Sequence, residues 1–211
     1  MAVKLINLGL PKTGTTTLGV ALEKSGWLVA DFKLRRRTCP DKDIAGSFVG
    51  RQLYEGYYGS GDPLERLGSF DALTEISVLN RDLCLWPQTD FGLIQSLRHR
   101  HPDLRFVASW RDPEDAAHSM LRWSDLGTDR LPGGNIPGLP KGFGDTRLQR
   151  ATWIAQHYAF LRHLFAGDTR FLEYDIADPQ APARISAHIG VELPWWGQAN
   201  KNTSLRAGST T

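Results

Sequence analysis

Cysteine is scarce in this chain: Cys39 and Cys84 are the only two in 211 residues. A small secreted domain stapled by disulfides carries more, so a disulfide scaffold is excluded, and both residues read as reduced thiols of a cytoplasmic protein. Long apolar runs are missing as well. No stretch of about 18 apolar residues occurs, which excludes a membrane-spanning helix, and the apolar run over Val3–Leu8 is too short for a secretory leader. Neither sign of charge dominates. The 25 Lys and Arg face 23 Asp and Glu, a formal net charge of +2, which is too balanced to point to a nucleic-acid partner. His and Cys do not recur at metal-ligand spacing, so no metal is expected. There is no fixed-period repeat. What remains is an ordinary globular composition, 41% hydrophobic and 23% charged, over a length that suits one domain with its own core (residues 1–211).

Within that domain, short apolar runs alternate with helical patterns. Strands are predicted over Val3–Leu8, Trp27–Ala30, Phe70–Thr74, Leu104–Trp110 and Arg170–Tyr174. Helices are predicted over Thr15–Lys24, Asp90–His101, Pro113–Arg122, Thr146–Phe165 and Pro179–Ile189. Asp43–Arg66 reads as helical in parts, broken by a loop at Tyr58–Pro63. The alternation implies an α/β fold: a three-layer sandwich with a mainly parallel central sheet. Ligands in such folds bind beyond the carboxyl ends of the strands. Gly9–Thr17, Glu75 and Arg111 each follow a predicted strand, so the architecture brings them to one edge. Arg35, Arg36 and Arg37 read either as a solvated turn or as a basic rim for an anion. Ser124–Asp145 is rich in Gly and Pro, and a loop of that length suits a lid over a substrate.

The segment Gly9-Leu-Pro-Lys-Thr-Gly14 turns from a strand into a helix that opens with Thr15, Thr16 and Thr17. A helix N-terminus offers unpaired N–H donors and partial positive charge, which suits a phosphate. Three successive threonines are poor helix starters unless their hydroxyls are used. A nucleotide kinase or NTPase loop has two glycines at this spacing but follows the second with lysine. Here Thr15 takes that position, and the lysine is Lys12, before Gly14.

Leu10-Pro-Lys-Thr-Gly-Thr-Thr-Thr17 resembles the phosphosulfate loop of sulfotransferases that use 3′-phosphoadenosine-5′-phosphosulfate (PAPS). A second resemblance follows the strand at Phe106–Trp110. Arg111 and Ser119 stand at the spacing of the arginine and serine that bind the 3′-phosphate in that family. The stretch Phe171–Pro179 and the helix ending Ile189-Gly190-Val191 are similar to the family's last strand and helix. The resemblance implies a P-loop-NTPase-like topology and PAPS as donor, with 3′,5′-adenosine bisphosphate as product. It also implies a cofactor site built from Pro11, Lys12, Thr13, Gly14, Thr15, Thr16, Thr17, Arg111 and Ser119. In cytosolic members a C-terminal Arg-Lys-Gly loop closes over the 3′-phosphate. Here Arg206 and Gly208 keep that spacing with alanine between them, and Lys201 is a second candidate in the tail from residue 194.

The implied reaction moves a sulfonate group to a hydroxyl or amine of a small-molecule or carbohydrate acceptor. Lys12 would neutralise the leaving phosphate. The family draws its base from histidine in some branches and glutamate in others, and no lysine-threonine-histidine motif is present. Glu75, at the end of a predicted strand, is the candidate base, with Asp71 and Asp31 as weaker candidates. Tyr54, Tyr57, Tyr58, Trp86 and Trp123 are candidates for stacking on an acceptor ring. The competing functions are a nucleotide kinase or NTPase with a variant loop, and a non-catalytic nucleotide-binding protein.

Overall fold

The computed structural model describes residues 3–199. Five strands form one parallel sheet: β1 (Leu5–Asn7), β2 (Val29–Asp31), β3 (Ala72–Glu75), β6 (Arg105–Trp110) and β7 (Phe171–Asp175), in the spatial order β2-β3-β1-β6-β7. A separate antiparallel pair, β4 (Val78–Leu79) and β5 (Cys84–Leu85), lies between β3 and β6 in the chain. The helices are α1 (Thr15–Lys24), α2 (Val49–Ser60), α3 (Phe91–Arg100), α4 (Pro113–Leu121), the short α5 (Leu131–Gly133), α6 (Arg147–Leu164) and α7 (Ala181–Ile189).

Side-chain alternation along the strands builds the layers. Leu5, Ala72 and Val107 join Leu18 and Leu22 of α1 and Ala181 and Ile185 of α7 in one apolar cluster. Their strand neighbours Ile6, Leu73, Phe106 and Ala108 point the other way, into a larger cluster with α2, α3, α4 and α6. Both faces of the sheet are thus covered, as a parallel sheet requires, and the three-layer α/β architecture expected from the sequence is present. Among the described residues no helix is long and apolar enough to cross a membrane.

Several boundaries differ from the sequence reading. The second strand starts at Val29 rather than Trp27. Helix α2 runs through Tyr58 to Ser60, and the chain turns at Gly61, which has a positive φ of 79°. The β4–β5 pair was not anticipated, because two-residue strands carry no periodicity.

The segment expected to be a lid is packed down. Leu126, Leu131, Ile136 and Leu139 belong to the main core. Arg150, 1% exposed, donates from Nη1 to the carbonyls of Gly127, Gly144 and Asp145 at 3.2, 2.8 and 2.9 Å. Trp153 Nε1 adds a bond to the Pro137 carbonyl at 3.0 Å. Removing Arg150 would leave three carbonyls without this donor, so the segment is a wall anchored by its own apolar residues and one arginine.

Strand order also fixes where a ligand fits. From β1 the chain moves to β2 and β3 on one side, and later to β6 and β7 on the other. The connections diverge at β1 and β6 and open a crevice beyond their carboxyl ends. The phosphate-type loop leaves β1 there, and Arg111 leaves β6 beside it.

Candidate active site

A buried polar knot ties the strand ends below this crevice. Asn7, wholly buried at the end of β1, donates from Nδ2 to the Thr74 carbonyl of β3 at 3.0 Å and to Ser109 Oγ of β6 at 3.1 Å. Its Oδ1 accepts from the amides of Gly9 and Ser109 at 3.0 and 3.1 Å. One amide side chain therefore fixes three strands and the start of the loop. A buried amide with fewer partners would cost free energy, so full pairing makes the arrangement rigid. A Cβ on Gly9 would lie 2.3 Å from Ser109 Oγ, which explains the glycine at this close approach.

Helix α6 braces the loop from below. Tyr158 donates to the Ser109 carbonyl at 2.6 Å and accepts from the Leu10 amide at 3.3 Å. His157 Nε2 donates to the Leu8 carbonyl at 2.8 Å. Burial holds the His157 pKa down to about 4, so its ring is neutral at physiological pH. Thr13 is also turned inward: its hydroxyl donates to the Leu10 carbonyl at 2.6 Å and shares a hydrogen bond with Ser109 Oγ at 2.9 Å. Of the threonines assigned to cofactor binding, Thr13 thus has its side chain committed to the scaffold, and only its backbone is available to a ligand. Asn7, Ser109, His157 and Tyr158 were missed in the sequence. The available signal was a polar residue inside an apolar run, as in Leu-Ile-Asn-Leu.

Above the knot the loop curls through two left-handed residues, Lys12 at φ 70° and Gly14 at φ 101°. Such turns gather backbone N–H groups into an anion-binding concavity. A lysine in this region stores strain of about 1–2 kcal/mol, and Gly14 could not be replaced cheaply, because a φ of 101° is a conformation that side chains rarely adopt. The start of α1 differs from those of three other helices. Asp90, Asp112 and Thr146 cap α3, α4 and α6 with side-chain oxygens, whereas α1 begins at Gly14 without a side-chain cap. The cap residue thus leaves the leading N–H groups without a side-chain acceptor, at a helix start of the kind that binds anions.

The crevice is a cleft of about 980 Å³, at the upper end of the range of about 300–1,000 Å³ for ligand sites. Pro11, Lys12, Gly14, Thr15, Thr16 and Thr17 line one side of it. Arg111 and Ser119 line it too, together with His118 from the same helix. Lys12 Nζ lies 3.3 Å from the centre of the Trp123 ring, a cation–π contact. Its pKa is lowered to about 8, first by burial and then by the Arg111 charge, with Glu75 opposing.

Glu75 reaches the same cleft from the end of β3. Its Oε1 accepts from the Ser77 hydroxyl at 2.6 Å and the Ser77 amide at 3.2 Å. Desolvation pushes its pKa up to about 7 despite these donors, and the Asp31 charge adds to the rise. Asp31 lines the cleft from β2. Asp71 does not belong to it. That residue precedes β3, at the opposite edge of the sheet, where it is held by Lys4 at 2.8 Å and by the Leu28 amide at 2.9 Å. It is therefore removed as a candidate base.

Of the aromatic candidates, Trp86 and Trp123 line the cleft, while Tyr54, Tyr57 and Tyr58 lie on α2 away from it. Trp196, Gly197, Gln198 and Ala199 reach the cleft from the C-terminal side, and the Ala199 amide donates to Thr17 Oγ1 at 3.4 Å. Lys201 and Arg206 lie outside the described residues. Among the described residues no group of three or more His, Cys, Asp or Glu could hold a metal ion.

No protein-family model matches the chain, and no curated protein matches it by sequence. Solved structures do match. A sulfotransferase from Alicyclobacillus acidocaldarius superposes with a TM-score of 0.52 at 14% identity, covering 97% of this chain and 87% of that one. Mouse sulfotransferase SULT7A1, solved in complex with PAP, gives a TM-score of 0.45 at 14% identity, over 90% of this chain and 58% of that one. The fold is therefore that of the bacterial sulfotransferase structure.

Proposed function

We propose that this sulfotransferase-like fold carries a PAPS-dependent sulfotransferase, which moves a sulfonate group to a hydroxyl or amine of a small-molecule or carbohydrate acceptor. One observation carries the reading. The loop with Lys12, the uncapped start of α1, the Arg111–Ser119 pair and a carboxylate, Glu75, all line one cleft, although they are scattered over more than a hundred residues of sequence. The donor set fits a nucleotide phosphorylated at both ends: N–H groups and Lys12 for the 5′ side, Arg111 and Ser119 for the 3′-phosphate.

The donor molecule supplies an activated sulfonate on a phosphate leaving group. The chain's own residues supply position and charge. The amides at the start of α1 and the hydroxyls of Thr15 and Thr16 hold non-bridging oxygens. Lys12 stays mostly protonated at neutral pH and is a stronger acid than an ordinary lysine, which suits it to neutralise the bridging oxygen as its bond to sulfur breaks. Glu75, with a pKa of about 7, is ionised in a large fraction of molecules at neutral pH and a stronger base than an ordinary carboxylate. It takes the proton from the acceptor as the new bond to sulfur forms.

The direct test is an acceptor screen with labelled PAPS, comparing the unaltered chain with Lys12→Ala. The expected result is transfer to at least one hydroxyl or amine acceptor, reduced by about 10²–10³-fold or more in the variant. Normal transfer by Lys12→Ala would overturn the role given to the loop.

A further inference from the structure

Asp31 and Glu75 do not face each other by default. The β2–β3 ladder pairs Ala30 with Leu73, and a regular step would set Asp31 opposite Thr74. Instead the register shifts between Ala30 and Asp31, and Asp31 pairs with Glu75. Thr74 is the extra residue of this bulge. A bulge re-aims side chains next to a site, and here the two acidic residues become backbone partners across the ladder and line the same cleft. Thr74, the residue passed over, is retained as a donor: its hydroxyl gives a hydrogen bond to Asp31 Oδ1 at 3.2 Å. The bulge therefore brings Asp31 into register with Glu75, and Thr74 steadies its carboxylate.

We propose that Asp31 is a positioning residue whose charge, set beside Glu75 by the bulge, governs the readiness of Glu75 to accept a proton. A neighbouring negative charge disfavours ionisation of a carboxyl group, so Asp31 makes Glu75 hold its proton more strongly and, once ionised, act as a stronger base. The other charged groups around the pair are identified. Lys12 faces Glu75 from the loop after β1 and acts in the opposite sense. Glu23 of α1 and Arg35, beyond β2, act on Asp31 with opposite signs. Ser77 donates to Glu75, and Ser77 and Thr15 both favour its ionised form. Asp31 is the acidic group among these that raises Glu75. The role of Asp31 in catalysis rests on Glu75 being the base proposed above; its effect on Glu75 does not.

The test is a carboxyl titration of the full chain by NMR with ¹³C-labelled Asp and Glu, using Glu75→Gln to assign the Glu75 signal. In Asp31→Asn the Glu75 midpoint is expected to fall by about one pH unit. An unchanged or higher midpoint would overturn the proposal. Binding of 3′,5′-adenosine bisphosphate, followed by thermal shift, reports that the variant is folded, and Asp31→Ser gives a second removal of the charge with the same expected direction. Transfer assays separate the two ideas. If Asp31→Asn moves the acid limb of kcat to lower pH and lowers the plateau, Asp31 acts through Glu75 during turnover. If Glu75→Gln still transfers sulfonate, the base assignment fails and the catalytic role of Asp31 fails with it, while the NMR midpoint still decides whether Asp31 controls Glu75.

Discussion

The two walls of the cleft are built by different means. The phosphate wall is backbone held in place by a buried polar knot: Asn7 ties three strand ends, and Tyr158 and His157 pin the loop from α6. The other wall is made of side chains: Asp31 of β2, Glu75 of β3, Leu79 of β4, Leu126 and Arg130 of the anchored segment 124–145, and Trp86 and Trp123, and its chemistry rests on the two carboxylates. The contrast follows from what each wall is proposed to recognise. A phosphate is bound by N–H groups whose positions depend on backbone shape, so the scaffold beneath must be stiff. A proton acceptor depends on local charge and solvation, which a few side chains can set.

Variants can break one wall and leave the other. The largest effect is expected from Glu75→Gln, which should lower turnover by about 10²–10⁴-fold while 3′,5′-adenosine bisphosphate binds as before in a calorimetric titration. A parallel loss of binding would mean that the two walls are not separable. The phosphate wall should instead respond to acid. His157 has its pKa held down to about 4, below its ordinary value near 6.5, so the unfolded chain takes up the proton first. The stability contributed by the neutral ring is present above about pH 6.5 and is lost as pH falls toward 4, on the order of 3 kcal/mol in full. Urea unfolding at a series of pH values should show this loss, and His157→Gln should flatten that part of the profile. A smaller effect is expected at Arg111. Arg111→Ala removes charge-assisted hydrogen bonds of about 1.5–3 kcal/mol and should weaken bisphosphate binding by about 10–100-fold with the carboxyl titration of Glu75 little changed.

The same contrast decides what could be read from the sequence. The phosphate loop is contiguous, and its glycine, lysine and threonine spacing carries the geometry, so α1 was placed at Thr15–Lys24 to the residue. Helix α3 and strands β6 and β7 had strong periodicity and lie within a residue or two of their expected bounds. The Glu75 wall was harder. Its position at a strand end was legible, but its pairing with Asp31 depends on a bulge between residues more than forty apart, and a one-residue change of register leaves no mark in composition. Segment 124–145 misled because glycine and proline dominate it, whereas Leu126, Leu131, Ile136 and Leu139, spread among them, fix it to the core. The knot beneath the loop was hidden for a similar reason: Asn7 and Ser109 look like interruptions of apolar strands until the strands are side by side.

The proposed ligand of the cleft is a nucleotide phosphorylated at both its 5′ and 3′ positions. Calorimetric titration with 3′,5′-adenosine bisphosphate, set against ATP with and without magnesium, tests it most directly. The bisphosphate is expected to bind more tightly than ATP, and magnesium to make no difference. Tighter binding of ATP in the presence of magnesium would contradict this expectation and favour an NTPase.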